Sequence, residues 1–196
     1  MKKTFEKELP ENYIESVTFD AKNKKTVIIF NLVSLLIIAA VIAAAVLIIR
    51  PTGFFENYSF LRNCLFIVAM LLYIVLHELV HGIAYKLLTG QKLKFGITFS
   101  AAFCGVPDIY VYRSTALISV FAPFTVFSVL FVALLFIFEN PWDLTYTAII
   151  LGMHLGGYSG DLYDAALLLF KLRDPRTLMR DTGPKQTFYV LKQHEK

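Results

Sequence analysis

CLFIVAMLLYIVLHELVHGIAYKLL, the stretch from Cys64 to Leu88, decides how this chain is read. From Cys64 to Leu76 it carries no charge; then Glu78 appears between His77 and His81. The length suits a membrane-crossing helix, which needs about 20 apolar residues. A carboxylate at bilayer depth costs about 2.5–3.5 kcal/mol on insertion scales. A chain that keeps one there needs something to offset the charge. Residues four apart on a helix lie about 40° apart around the axis and one turn apart along it. His77 and His81 therefore present two imidazoles to one point. A divalent metal held there would neutralise Glu78 and give it a chemical role.

Composition supports a membrane setting. The chain is 57% hydrophobic and 17% charged, whereas soluble domains are about 45–50% apolar. Three further segments are long enough to span: Val27 to Ile49, Thr115 to Phe138 with Pro123 inside it, and Leu144 to Phe170 with Gly156, Gly157 and Gly160 inside it. The expected fold is thus an all-α integral membrane protein with four transmembrane helices. The net charge of +4 marks cytoplasmic flanks, and no nucleic-acid motif accompanies it. Lys22, Lys24 and Lys25 precede the first span. Lys86, Lys92, Lys94 and Arg113 follow the second, and Lys171, Arg173, Arg176, Arg180 and Lys185 follow the fourth. The other two connections are poor in positive charge, so both termini are expected in the cytoplasm of a multi-pass cell-membrane protein. The polar first 25 residues are laid out unlike a cleavable signal peptide.

The expected divisions are a cytoplasmic N-terminal segment, 1–26, a four-span domain, 27–172, and a cytoplasmic tail, 173–196. A small β-hairpin is expected at the cytoplasmic membrane surface. Leu93 to Ser100 alternates apolar and polar residues as a half-buried strand does. Val106-Pro107-Asp108 supplies a turn, and Ile109 to Tyr112 is the second strand. Gln186 to Leu191, after the turn-like Asp181-Thr182-Gly183-Pro184, is a further strand that could pair with them. Cys64 and Cys104 fall toward opposite faces of the bilayer and are expected as free thiols.

The spacing of His77 and His81 suits a tetrahedral Zn2+ site, which needs a third protein ligand and leaves the fourth position to water. The last span offers two candidates. His154 and Asp161 are seven apart, within about 20° on one helical face. Asp161 is favoured as the third ligand, with His154 as the alternative or as a hydrogen-bonding partner behind the ligands. Asp164, one turn beyond Asp161, reads as an interfacial carboxylate paired with a Lys or Arg. Glu78 is placed to take a proton from metal-bound water and pass it to a leaving amine, which is the mechanical content of His-Glu-x-x-His.

Residues from about Cys64 to Asp181 resemble the small bacterial integral-membrane zincin peptidases of the DUF3267 family. The likeness rests on His77-Glu78-Leu79-Val80-His81-Gly82, Phe95-Gly96-Ile97, Ala122-Pro123 and His154-Leu155-Gly156-Gly157-Tyr158-Ser159-Gly160-Asp161. More distantly the chain is similar to site-2 intramembrane metalloproteases. The resemblance implies zinc, with Glu78 as base. The expected activity is zinc-dependent hydrolysis of a peptide bond in a transmembrane or membrane-adjacent substrate. The expected partners are that peptide and the lipid bilayer, with the oligomeric state left open. The competing reading is a metal-binding membrane scaffold or regulatory protein without catalysis. A metal transporter is disfavoured, because transporters commonly show internal repeats and this chain shows none.

Overall fold

The computed structural model describes residues 3–21, 23–52, 59–97 and 102–192. In chain order the elements are β1 (Phe5–Glu6), β2 (Tyr13–Asp20), α1 (Lys24–Ile49), α2 (Phe60–Thr89), β3 (Lys94–Ile97), β4 (Ala102–Gly105), β5 (Tyr110–Tyr112), α3 (Arg113–Ile137), α4 (Pro141–Gly157) and α5 (Ser159–Ala166). A π-helical turn (Leu167–Lys171), β6 (Leu178–Asp181) and β7 (Lys185–Leu191) complete the series. Among the described residues α1, α2 and α3 are long and apolar enough to cross a membrane. Their outward side chains fit lipid: Leu47 and Ile48 on α1 are 73% and 80% exposed, and Phe136 on α3 is 87% exposed. Apolar surface on that scale is not left to water.

Two expectations are corrected here. The chain is not all-α with four spans: among the described residues it has three candidate spans, a five-stranded sheet and a separate two-stranded one. The proposed fourth span, Leu144 to Phe170, breaks at Tyr158 into α4 and α5. Its first part has 17 residues, about 26 Å at 1.5 Å per residue and short of about 30 Å of hydrocarbon. The strands are the second correction. Residues before α1 form β1 and β2, and the tail forms β6 and β7, giving a sheet in the order β1-β5-β6-β7-β2. The surface hairpin also pairs differently. Lys94–Ile97 meets Ala102–Gly105, while Tyr110–Tyr112 joins β1 and β6. Thr98 to Ser100, read as the end of the first strand, lie outside the described residues.

The residues group into two compact units. One comprises Met1–Ile28, Glu78–Pro123 and Asp161–Lys196. Its core joins Tyr85 of α2 and Ala116 of α3 to Val111, Met179 and Phe188 of the sheet and to Leu167 and Leu168 of the π-helical turn. The β6–β7 connection turns through Gly183 at φ 94°, where the Thr182 N–H donates to the Lys185 carbonyl at 3.0 Å. Asp181, at the end of β6, is buried. Its carboxylate accepts from Tyr85 Oη and from the Gly183 N–H, each at 2.8 Å. Burial pushes its carboxyl up to about 6, against the pull of those hydrogen bonds.

The other unit comprises Ile29–His77 and Phe124–Gly160. α4 begins at Asn140, whose Oδ1 accepts from the Trp142 N–H at 2.9 Å, with Pro141 in the first turn; both are start signals. α1 lies close against α4. A Cβ on Gly156 would come within 2.7 Å of the Ser34 carbonyl oxygen and of Ile38 Cγ1. Small residues permit such approach between apolar helices. The same contact satisfies the break: Ser34 Oγ donates to the Gly156 carbonyl at 2.7 Å and sits 2.9 Å from Ser159 Oγ. A backbone group freed by a break in apolar surroundings needs such a partner. The unit also carries an open groove of about 690 Å³, lined by Leu65, Phe66, Phe131 and Ile150, and by Tyr73 and Leu76 just before His77.

Candidate metal centre

α2 carries the motif. It is unbroken from Phe60 to Thr89, so His77 and His81 stand on one face as their spacing predicts. Both are buried, at 8% and 7% exposure, and Glu78 between them is half-buried. His81 Nε2 lies 3.3 Å from Asp161 Oδ2 of α5. His81 Nδ1 lies 2.9 Å from the Ser119 carbonyl of α3. A carbonyl only accepts, so Nδ1 carries a proton and donates; a carboxylate only accepts as well, so Nε2 donates to Asp161 and would give up that proton to a metal taken up between them.

One donor atom from each of His77, His81 and Asp161 lies within 4.8 Å of the other two. Two ligands of a tetrahedral zinc, at bonds of about 2.0–2.1 Å, stand about 3.3 Å apart, which is the His81–Asp161 separation. Two imidazoles and a carboxylate are a donor set that zinc accepts, so these residues fit the metal. Cysteine does not compete: burial pushes the Cys104 thiol up to about 12, leaving it neutral near pH 7. Cys64 and Cys104 are both free.

His154 stands apart from that group. It is wholly buried amid the rings of Phe124, Phe127 and Phe131, with centroids 5.8–6.1 Å away. Its Nδ1 is 3.0 Å from Tyr73 Oη, and Tyr73 Oη is 3.1 Å from His77 Nδ1. Its Nε2 is 3.1 Å from Ser128 Oγ. Of the two readings offered for it, hydrogen bonding behind a ligand fits this placement. Asp164 corrects a reading: it is 4% exposed, and its Oδ1 has no hydrogen-bond partner among the described residues. The expected interfacial carboxylate paired with a Lys or Arg is instead a buried one, with no such ion pair among the described residues. Sequence reasoning missed Tyr73 and Ser128. Each is a polar group inside a charge-free apolar run, and Tyr73 is one turn before His77, which is the signal that marks them.

The β3–β4 hairpin packs beside the motif. A Cβ on Gly82, the residue after His81, would come within 2.8 Å of Phe95 Cζ and 3.2 Å of Cys104 Sγ. β3 pairs only with β4 among the described strands, and Ile97 on it is 85% exposed.

Fold and site together define a class: a membrane chain with a helix-borne His-Glu-x-x-His motif and a carboxylate from a later helix. The chain belongs to the DUF3267 family, described as "putative zincin peptidase". The family's sequence profile matches residues 70–174, more than half of the 196. Comparison with curated proteins and with solved structures gives no match.

Proposed function

We propose that this protein is a zinc-dependent intramembrane peptidase that hydrolyses a peptide bond in a transmembrane or membrane-adjacent substrate. The observation that carries the reading is the gathering of His77, His81 and Asp161 donor atoms within 4.8 Å of one another, with Glu78 on the same helix. His77, His81 and Asp161 are the zinc ligands and Glu78 is the general base. Zinc supplies a Lewis acid and brings the pKa of bound water to about 7. Glu78 takes the proton from the attacking water and returns it to the leaving amide nitrogen. The half-buried position of Glu78 supports that role, since its carboxylate is not sealed within the protein.

Three apolar helices support a multi-pass protein of the cell membrane, with substrate reaching the site from the bilayer or its surface. β2, before α1, pairs with β7 near the end of the chain, so the segments flanking the apolar helices meet in one sheet. An unwound substrate segment adds to the outer edge of β3, where main-chain hydrogen bonds hold it extended.

The test compares the wild type with Glu78→Gln in cells. Each purified protein should hold one zinc, and membrane-peptide fragments should accumulate with the wild type alone. Zinc in both with identical fragments would replace the peptidase by the metal-binding scaffold.

A further inference from the structure

Four side chains form a line of hydrogen bonds: His77 Nδ1 to Tyr73 Oη at 3.1 Å, Tyr73 Oη to His154 Nδ1 at 3.0 Å, and His154 Nε2 to Ser128 Oγ at 3.1 Å. Tyr73, His77 and His154 are each buried to more than nine-tenths. Buried polar groups in an aromatic setting need partners, and a half-satisfied network is costly.

The line can run in two directions. A phenol has one proton and a neutral imidazole has one. In the first direction Ser128 donates to His154 Nε2, His154 Nδ1–H donates to Tyr73, and Tyr73 O–H donates to His77 Nδ1. His77 then carries its proton on Nε2, which cannot ligate while protonated. In the second direction every proton is reversed. His77 Nδ1–H donates to the phenol oxygen, Tyr73 O–H donates to His154 Nδ1, and His154 Nε2–H donates to Ser128 Oγ. His77 Nε2 then keeps its lone pair, and His81 likewise donates through Nδ1, to the Ser119 carbonyl.

We infer that Tyr73 and His154 are positioning residues that fix the tautomer and ring orientation of His77, and that metal binding selects the direction of this line that ends on Ser128. The inference rests on the reading of His77 as a ligand. It gives the buried histidine on α4 a role without making it a ligand. Tyr73 has to be both acceptor and donor, so phenylalanine cannot replace it. His154 has to accept from Tyr73 and donate to Ser128, so glutamine, with one carbonyl and one amide group, can replace it in part.

The experiment measures zinc affinity of the full chain in detergent by chelator competition, with the visible spectrum of the cobalt-substituted protein as a second readout. Tyr73→Phe and His154→Leu should each weaken zinc binding about 10–100-fold, the usual effect of removing a partner of a ligating histidine. Both should also alter the cobalt spectrum. His154→Gln should recover most of the affinity lost in His154→Leu. Thermal unfolding without metal identifies any variant that fails to fold, and the glutamine–leucine pair keeps the test decisive. If Tyr73→Phe and His154→Leu bind zinc as the wild type does, the positioning role is refuted and the site reading stands. If the wild type binds no zinc, the site reading falls first. Equal losses in His154→Gln and His154→Leu would also overturn the inference.

Discussion

Asp161→Ala is the sharpest perturbation of the proposed centre. Asp161 is the one carboxylate among the three donors, and its Oδ2 already stands 3.3 Å from His81 Nε2, the spacing of two zinc ligands. Its removal leaves two imidazoles one turn apart on α2. Loss of a residue merely behind a ligand weakens metal binding about 10–100-fold, so loss of a ligand should cost at least about 100-fold, or about 2.7 kcal/mol. That loss appears in stability as well. A ligand at 1,000 times its Kd stabilises the folded state by about 4.1 kcal/mol; after a 100-fold loss the same concentration contributes about 1.4 kcal/mol. The assay is unfolding of the detergent-solubilised protein with zinc held at 1,000 times the wild-type Kd, and again with excess chelator. Chelator should erase the zinc increment in both proteins, whatever difference their metal-free forms retain. A wild-type zinc increment in Asp161→Ala, with unchanged chelator competition, would refute Asp161 as a ligand.

Two further outcomes follow from the packing of each unit. Gly156→Ala sets a Cβ within 2.7 Å of the Ser34 carbonyl on α1. Overpacking costs about 1–3 kcal/mol, only partly offset by about 1 kcal/mol of helix propensity, so its unfolding temperature in detergent should fall; an equal or higher value would contradict the close α1–α4 approach. Asp181 holds its proton more tightly when folded, with its carboxyl up at about 6 against an ordinary 3.8. Its contribution to stability is therefore fully present below pH 4 and is lost as the pH rises to about 6. The stability of wild type relative to Asp181→Asn should drop by on the order of 3 kcal/mol between pH 4 and pH 7, and a flat difference would contradict burial of the charged form.

The helical part of the fold was legible because composition announces it. α1 is apolar on every side, a pattern that belongs to lipid or a deep core, and α2 and α3 carry the same signal. The sheet was far less legible. β2 has polar and charged residues at half its positions, and its partner β7 lies more than 160 residues away in the chain. No local pattern encodes that pairing. Phe5–Glu6 is too short to show a period. The 93–112 region showed its strand-forming residues but not its register. Two turns were available, and the pairing of Lys94–Ile97 with Ala102–Gly105 frees Tyr110–Tyr112 for β6.

The site followed a different logic. His77, Glu78 and His81 needed only an unbroken helix, and α2 supplies one. His154 stood as the alternative to the favoured Asp161 because seven residues on a straight helix return to one face. Gly156-Gly157 removes that premise. The helix ends at Gly157, where the Tyr158 N–H turns back to the His154 carbonyl at 3.1 Å, and α5 starts afresh at Ser159. The two residues then acquire different surroundings: Asp161 faces His81, while His154 sits among aromatic rings with Tyr73 and Ser128. The charges fit that division. A dication bound by two neutral imidazoles is best complemented by an anionic third ligand, since two half-buried carboxylates, Glu78 and Asp161, match its charge. A third imidazole would leave net positive charge in an apolar setting. The break after Gly157 thus separates the carboxylate that stands with His77 and His81 from the imidazole that hydrogen-bonds to Tyr73 and Ser128.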